Sequence, residues 1–325
     1  MSRVVLTSLI LVTLGVGLAA CSDEPAASDG ETVVYRTVDG LALHADVFRP
    51  DTAHATPVIL WLHPGGLIFG QRDMLREVQR DLYLKQGFSV VAADYRLAPE
   101  ASLEEITSDV EAAYQWIRGA GAERYRFDTS RVAVVGHSAG AYLALILGAS
   151  AVPSPGAVVS FYGYGEVVTP WYQRPAQVYM RGPIITRQAA FGAIQDTPLS
   201  GSHASERVNL YGYLRQRGRW SEIVGRIDPV QEPEAVRAFE PLHHIDATYP
   251  PTLLLHGTND GDVPFSASER LAEAFEQQDV PYRFSQKLRV GHVFDARLSP
   301  GETEALFAEV FAFLDAAFAD TLRSP

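Results

Sequence analysis

Three stretches of the chain carry residue types that together could cleave an acyl bond. Residues 136–140 read Gly-His-Ser-Ala-Gly, directly after the apolar run Val132–Val135 and directly before the apolar run 141–150. A Gly-x-Ser-x-Gly pattern arises by chance in roughly one chain in ten of this length. The strand–turn–helix setting makes it specific: a serine on a very tight turn projects from the carboxyl edge of a sheet, and only glycine lets strand and helix approach that closely. The helix N-terminus behind Ser138 favours negative charge. A serine hydroxyl is a weak nucleophile without a base. In this arrangement the partners follow in the order serine, acid, histidine. His292 in Gly291-His292-Val293-Phe294 is the candidate base, and the stretch 256–264, His-Gly-Thr-Asn-Asp-Gly-Asp-Val-Pro, supplies the acid.

Two aspartates compete there. A turn directly after the preceding strand puts Asp260 nearer the sheet edge than Asp262, which reads as a solvated loop charge or a helix-cap partner. His256, at a strand end, reads as a packing or hydrogen-bonding residue. His137 is excluded as base because adjacent side chains point apart. His243 and His244 with Asp246 do not share one face, so no metal site is expected, and the chemistry needs no cofactor. Acyl transfer also builds an oxyanion that preorganised N–H groups must hold. Ala139, just after the nucleophile, is one candidate donor; the bare stretch His63-Pro64-Gly65-Gly66, after an early strand, is the place for the others.

The elements that must position these groups alternate along the chain. Residues 32–38 and 41–48 flank Asp39-Gly40 as a hairpin. Apolar strands are expected at 56–62, 87–95, 131–136, 156–163 and 250–257, and a further strand at 281–288. Helices are expected over 72–86, from the capping box Ser102–Glu105 to about Arg118, over 141–150, over 204–217 with Gly218 as its stop, from a Ser266–Glu269 cap, and over 302–318. Strands alternating with helices predict an α/β fold: a mostly parallel central sheet with helices on both faces. Residues 162–249 contain no clear strand and are rich in Tyr, Trp, Arg and Pro, so they are expected to form a lid-like insertion. Trp171, Tyr172, Arg174, Tyr179 and Tyr211 in it are candidate pocket residues, with packing inside the insertion as the competing role for each.

The 325 residues carry a formal net charge of −12, which speaks against nucleic acid as a partner. A single cysteine, Cys21, excludes a disulfide within the chain. Its place is informative. A basic start, an apolar run from Val4 to Ala20 and the small residues Ala19-Ala20 form a leader, expected to be a signal peptide over residues 1–20. Residues 21–31 read as a polar tether, and 32–320 as the folded domain.

The set Leu18-Ala19-Ala20-Cys21 resembles the lipobox of bacterial lipoproteins. That resemblance implies cleavage before Cys21, lipidation on it and membrane attachment; Ser22 in the next position favours the outer membrane of a bacterial envelope. The domain resembles α/β-hydrolase esterases and lipases, close to the hormone-sensitive-lipase group. The resemblance rests on His63-Pro64-Gly65-Gly66, Asp94–Glu100 (Asp-Tyr-Arg-Leu-Ala-Pro-Glu), Gly136–Gly140, His256–Asp260 with Val263-Pro264, and Gly291-His292, and spans about residues 32–318. It implies Gly65 and Gly66 as oxyanion donors beside Ala139, Asp260 as the acid of a Ser138–His292–Asp260 triad, and a bracing role for Asp94–Glu100. Pro64 replaces a glycine of that family, His137 an aspartate and Ala141 a glycine; the Gly-His-Ser-Ala-Gly-Ala run also resembles acyl-formamidases. The expected activity is hydrolysis of small carboxylic esters with short- to medium-chain acyl groups. An amidase, formamidase or small acyl-peptide hydrolase with the same triad, or a catalytically inactive surface binding protein, are the rivals.

Lipidation is directly testable. The full-length chain produced in a bacterial host should incorporate radioactive palmitate, and Cys21→Ala should not; a labelled Cys21→Ala protein removes the anchor.

Overall fold

The computed structural model describes residues 30–226 and 231–319. The leader, Cys21 and the tether up to residue 29 lie outside the described residues. Eight strands form one sheet: β1 (Glu31–Val38), β2 (Leu41–Phe48), β3 (Thr56–Leu62), β4 (Ser89–Ala93), β5 (Phe127–His137), β6 (Ala157–Phe161), β7 (Thr252–Gly257) and β8 (Tyr282–Lys287). Their order is β1-β2-β4-β3-β5-β6-β7-β8, antiparallel at β1/β2 and β2/β4 and parallel from there on. The β1–β2 turn is Asp39-Gly40, both at positive φ, as a tight twisted hairpin requires. β1 starts at Glu31, inside the stretch expected as tether.

Strand residues alternate between two cores. Val58, Leu60 and Leu62 of β3 face one, and Ile59 and Trp61 the other. The first is covered by α2 (Leu103–Trp116), α4 (Ala139–Ser150) and α10 (Ser266–Gln277), the second by α1 (Glu77–Lys85) and α11 (Pro300–Phe318). The short α3 (Ala122–Tyr125) precedes β5. The apolar stripe of α11 buries Leu306, Phe307, Val310, Phe313 and Leu314, each side chain contributing roughly 1.5–3 kcal/mol. This is the α/β architecture that the alternation of elements predicted.

Three expected elements take a different form. The helix expected over 72–86 is split into a 3-10 turn, Arg72–Met74, and α1, because the Arg72 N–H and guanidinium are held by Asp94 at 2.7 and 2.6 Å. The helix from Ser102 keeps its capping box but passes at Trp116 into a π-helical turn, Ile117–Gly121, kinked at Gly119. The Ser266 cap does not form: Phe265 occupies the N-cap, and the Pro264 and Phe265 carbonyls accept the first helical N–H groups.

Chain order puts the functional stretches together. From β3 the chain moves outward to β4, then returns to β5 on the other side of β3. The carboxyl ends of β3 and β5 therefore flank the crevice where such sheets hold ligands. His63–Gly66 leaves β3 there and Ser138 leaves β5. Between β6 and β7 the insertion contributes α5 (Gln177–Met180), α6 (Arg187–Phe191), α7 (Ala204–Arg217), α8 (Trp220–Gly225) and α9 (Pro233–Arg237), with Gly218 in the left-handed region ending α7. A β-bridge between Gly70 and Ser202 and a doubly buried Arg207–Glu100 ion pair of 2.7 Å fasten it to the sheet edge.

A very close backbone contact lies where α4 meets β3. A Cβ on Gly140 would sit 2.1 Å from the Leu62 carbonyl oxygen. Gly140→Ala should therefore destabilise the protein by roughly 3 kcal/mol or more, read as a large fall in melting temperature; an unchanged melting temperature would contradict the packing described.

Candidate active site

Ser138 sits between β5 and α4 at φ 54° and ψ −115°, a strained conformation for a residue with a side chain. The strain is held from both sides: a Cβ on Gly136 would lie 2.1 Å from the Gly140 carbonyl oxygen, so neither glycine can be replaced without moving the turn. The Ser138 hydroxyl is 3.0 Å from His292 Nε2, and His292 Nδ1 is 2.6 Å from Asp260 Oδ2. The structure thus brings together the serine, histidine and carboxylate singled out in the sequence.

The loops that carry Asp260 and His292 are zipped to one another beyond β7 and β8. Thr258 N–H donates to the Lys287 carbonyl, Asn259 N–H to the Val290 carbonyl and Arg289 N–H to the Thr258 hydroxyl, at 2.9–3.0 Å. The buried Asp260 carboxylate accepts the Asp262 and Val263 N–H groups on Oδ1 at 2.9 and 3.0 Å. His256 Nε2 lies 3.3 Å from Oδ2 and 3.1 Å from the Val263 carbonyl, while Nδ1 meets the Ser268 hydroxyl at 2.7 Å. A carbonyl only accepts, so His256 Nε2 carries the hydrogen and the serine donates to Nδ1. Burial would raise the Asp260 pKa, but the neighbouring His292 and the His256 hydrogen bond outweigh it and hold the carboxyl well below its usual range. Burial likewise pushes His292 down, and the Asp260 charge outweighs that, leaving its pKa raised above 6.5.

Ala139 is the first residue of α4, so its N–H has no partner within the helix. Gly65 and Gly66 lie at φ 129° and 61°, and the Gly65 carbonyl closes their turn by accepting from Ile68 and Phe69 at 3.0 and 3.1 Å. Among the described residues, neither the Gly65 nor the Gly66 N–H meets an acceptor. The His63–Pro64 bond is trans; the cis bonds precede Pro99 and Pro153. Beneath the loop, the Tyr95 ring stacks on His63 at 4.0 Å and its hydroxyl donates to the His63 carbonyl at 2.8 Å. Burial depresses the His63 pKa to about 4, so it is a neutral strut. Arg96 adds a charged brace, bonded to Asp109 and Glu105.

The insertion closes over this loop. The Trp220 indole N–H donates to the Gly66 carbonyl at 3.0 Å, and the Tyr211 ring lies where a Gly66 side chain would be. Tyr211 and Tyr179 donate their hydroxyls to Asp262, at 3.0 and 2.8 Å, and Arg215 reaches the same carboxylate at 3.2 Å. Asp262 is therefore no solvated loop charge: it is the anchor of the insertion, two residues from Asp260. Of the candidate pocket residues, Tyr211 and Tyr179 border the site. Trp171, half-buried, packs on Tyr172, and the buried Tyr172 stacks on Trp220 at 3.8 Å inside the core of the insertion. Arg174 is exposed, next to Gly218. Trp220 has no sequence signal, because 154 residues separate it from Gly66. Asp295, three positions past His292, was not singled out in the sequence.

Comparison with known proteins agrees with this architecture. Residues 59–296 match a family model described as alpha/beta hydrolase fold. A non-reducing polyketide synthase from Preussia isomera is 30% identical over 304 residues, covering 83% of this chain and 14% of that protein. The chain thus spans about one-seventh of the length of the curated relatives it matches. A Staphylococcus aureus protein of unknown function superposes with a TM-score of 0.74 at 26% identity, over 89% of this chain and 99% of its own. A thermophilic esterase from Thermogutta terrifontis, solved with propionate bound, gives 0.60 at 22% identity, over 87% and 93%. At that identity the likeness is one of fold.

The Asp262 anchor can be tested by unfolding. Asp262→Asn leaves the buried Arg215 guanidinium without its carboxylate and should cost roughly 3 kcal/mol, whereas Tyr211→Phe should cost about 1 kcal/mol. Equal unfolding midpoints for Asp262→Asn and the unaltered protein would show that the anchor carries no stability.

Proposed function

Because the chain belongs to the α/β-hydrolase-fold family, we propose that it is a serine hydrolase that cleaves small carboxylic esters through an acyl-enzyme. The observation that carries the reading is the Ser138–His292–Asp260 relay, with contacts of 3.0 and 2.6 Å. In this reading the Ser138 oxygen bonds to the ester carbonyl carbon while its proton passes to His292 Nε2. The negative charge that develops on the carbonyl oxygen is received by the Gly65, Gly66 and Ala139 N–H groups. Asp260 holds the imidazole by its Nδ1–H and stabilises the imidazolium. His292 then protonates the departing alcohol as the C–O bond breaks. A water, deprotonated by the same imidazole, releases the acid and restores Ser138.

A short acyl group suits the space. Ser138 is only 7% exposed, and the Tyr211 ring, edge-on to Phe69 at 6.0 Å, covers Gly66. The propionate held by the Thermogutta esterase, a fold relative, is of that size class. Attachment of the domain to a bacterial envelope through a lipidated Cys21 is part of the same proposal.

The sign of the pH dependence follows from the base. His292 must be neutral to accept the proton, and its pKa is raised above 6.5, so kcat/KM should fall as pH drops through that raised value. A panel of p-nitrophenyl esters from acetate to long-chain acyl should favour the short chains, with a burst of nitrophenol. Ser138→Ala should lower kcat by about 10⁴-fold or more. Full activity in Ser138→Ala would refute the reading, and a matched amide cleaved faster than its ester would move it to the amidase class.

A further inference from the structure

We propose, on the reading that His292 is the base, that Asp295 is a positioning residue serving the nucleophile turn and the base at once. Asp295 lies in the 3-10 turn Phe294–Arg297 and is buried. Its Oδ1 accepts the Tyr162 hydroxyl at 2.7 Å, its Oδ2 accepts the Gln79 amide at 2.7 Å, and its backbone carbonyl accepts the Arg76 guanidinium at 2.7 Å. His137 Nε2 is 3.5 Å from the same Oδ2. Two of these partners touch the candidate machinery. His137 immediately precedes Ser138, and its ring is clamped against Phe161, 4.3 Å away at 13°. Tyr162 follows β6 at a positive φ of 42° and presents its ring to the His292 imidazole, 4.7 Å away at 64°. One carboxylate thus holds Tyr162, the wall on which the base leans, and lies beside the residue that precedes the nucleophile.

Its charge has a second consequence. Asp260 is hydrogen-bonded to His292 and the Tyr162 ring from the end of β6 lies against it, while the charges of Asp262, from the loop after β7, and Asp295, from its own loop, act on it from further off. The groups facing Asp295 are His137 from β5, Tyr162, and Gln79, Arg76 and Tyr83 from α1 and its approach. Burial would raise the Asp295 carboxyl, but contact with His137, Tyr162 and Gln79 brings it to about 2, so it is ionised wherever His292 could act as base. A buried negative charge near an imidazole favours the imidazolium, the form that His292 takes as Ser138 attacks.

The experiment compares full-length Asp295→Asn and Tyr162→Phe with the unaltered chain. It reads the pH profile of kcat/KM on a short-chain p-nitrophenyl ester and the ¹⁵N NMR titration of the His292 ring. In Asp295→Asn the acid limb and the His292 titration should move together to lower pH, with kcat falling about ten- to a hundredfold and KM little changed. In Tyr162→Phe the charge remains, so kcat should fall while the limb stays in place. A folded Asp295→Asn protein with the original kcat and His292 titration overturns the proposal. If Asp295→Asn does not fold, an unchanged kcat in Tyr162→Phe overturns it and a lowered one upholds it. If the unaltered protein cleaves no ester, the ester reading fails, and the NMR titration alone decides on Asp295: a downward shift upholds its coupling to His292, no shift refutes it.

Discussion

Helix α4 begins so close to the end of β3 that a methyl group on Gly140 would lie 2.1 Å from one carbonyl oxygen and 2.6 Å from the next, those of Leu62 and His63. This approach decides the rest of the site. It forces the chain to turn within one residue of leaving β5, which puts Ser138 at positive φ and aims α4's unpaired N–H groups at the same point. It also seats the loop after β3 against the start of α4, so that Gly65, Gly66 and Ala139 belong to one small region. A looser packing of helix on strand would separate Ser138 from those N–H groups, and the strain at Ser138 would relax.

Around that turn the protein has gathered charge in places water scarcely reaches. Asp260, Asp262 and Asp295 all bear on His292, yet each has its own partners: backbone N–H groups and His256 for Asp260, Arg215 and two tyrosines for Asp262, Gln79 and Tyr162 for Asp295. A buried carboxylate left without such partners would protonate instead. The insertion takes part in this arrangement: its Arg215 and Tyr211 meet Asp262, and its Trp220 meets Gly66. It is therefore built into the candidate site, joined to both the loop after β7 and the bare loop after β3.

The sheet and most helices were legible because their signals are local. Alternation and apolar runs located the strands, Asp39-Gly40 located the hairpin, and Ser102–Glu105 and Gly218 located helix ends. Where local signals misled, a partner outside the signal itself was the reason, distant in one case and adjacent in the other. Asp94 splits the helix expected over 72–86 by holding Arg72, and Pro264 and Phe265 carbonyls displace the Ser266 cap. The aromatic residues of the insertion were the least legible. Tyr172 and Tyr211 are alike in composition and context, yet one stacks inside the insertion and the other covers Gly66.

The sequence by itself determined the architecture and the residue types at the candidate site, since periodicity, turn glycines and the order serine, aspartate, histidine are written in short stretches. It also narrowed the acid to two aspartates and favoured Asp260. Only the tertiary structure decided what Asp262, Asp295 and Trp220 do. Their partners lie 47, 216 and 154 residues away along the chain, at Arg215, Gln79 and Gly66. Contacts at such separations are set by how helices and loops pack on the finished sheet, and no local pattern encodes them.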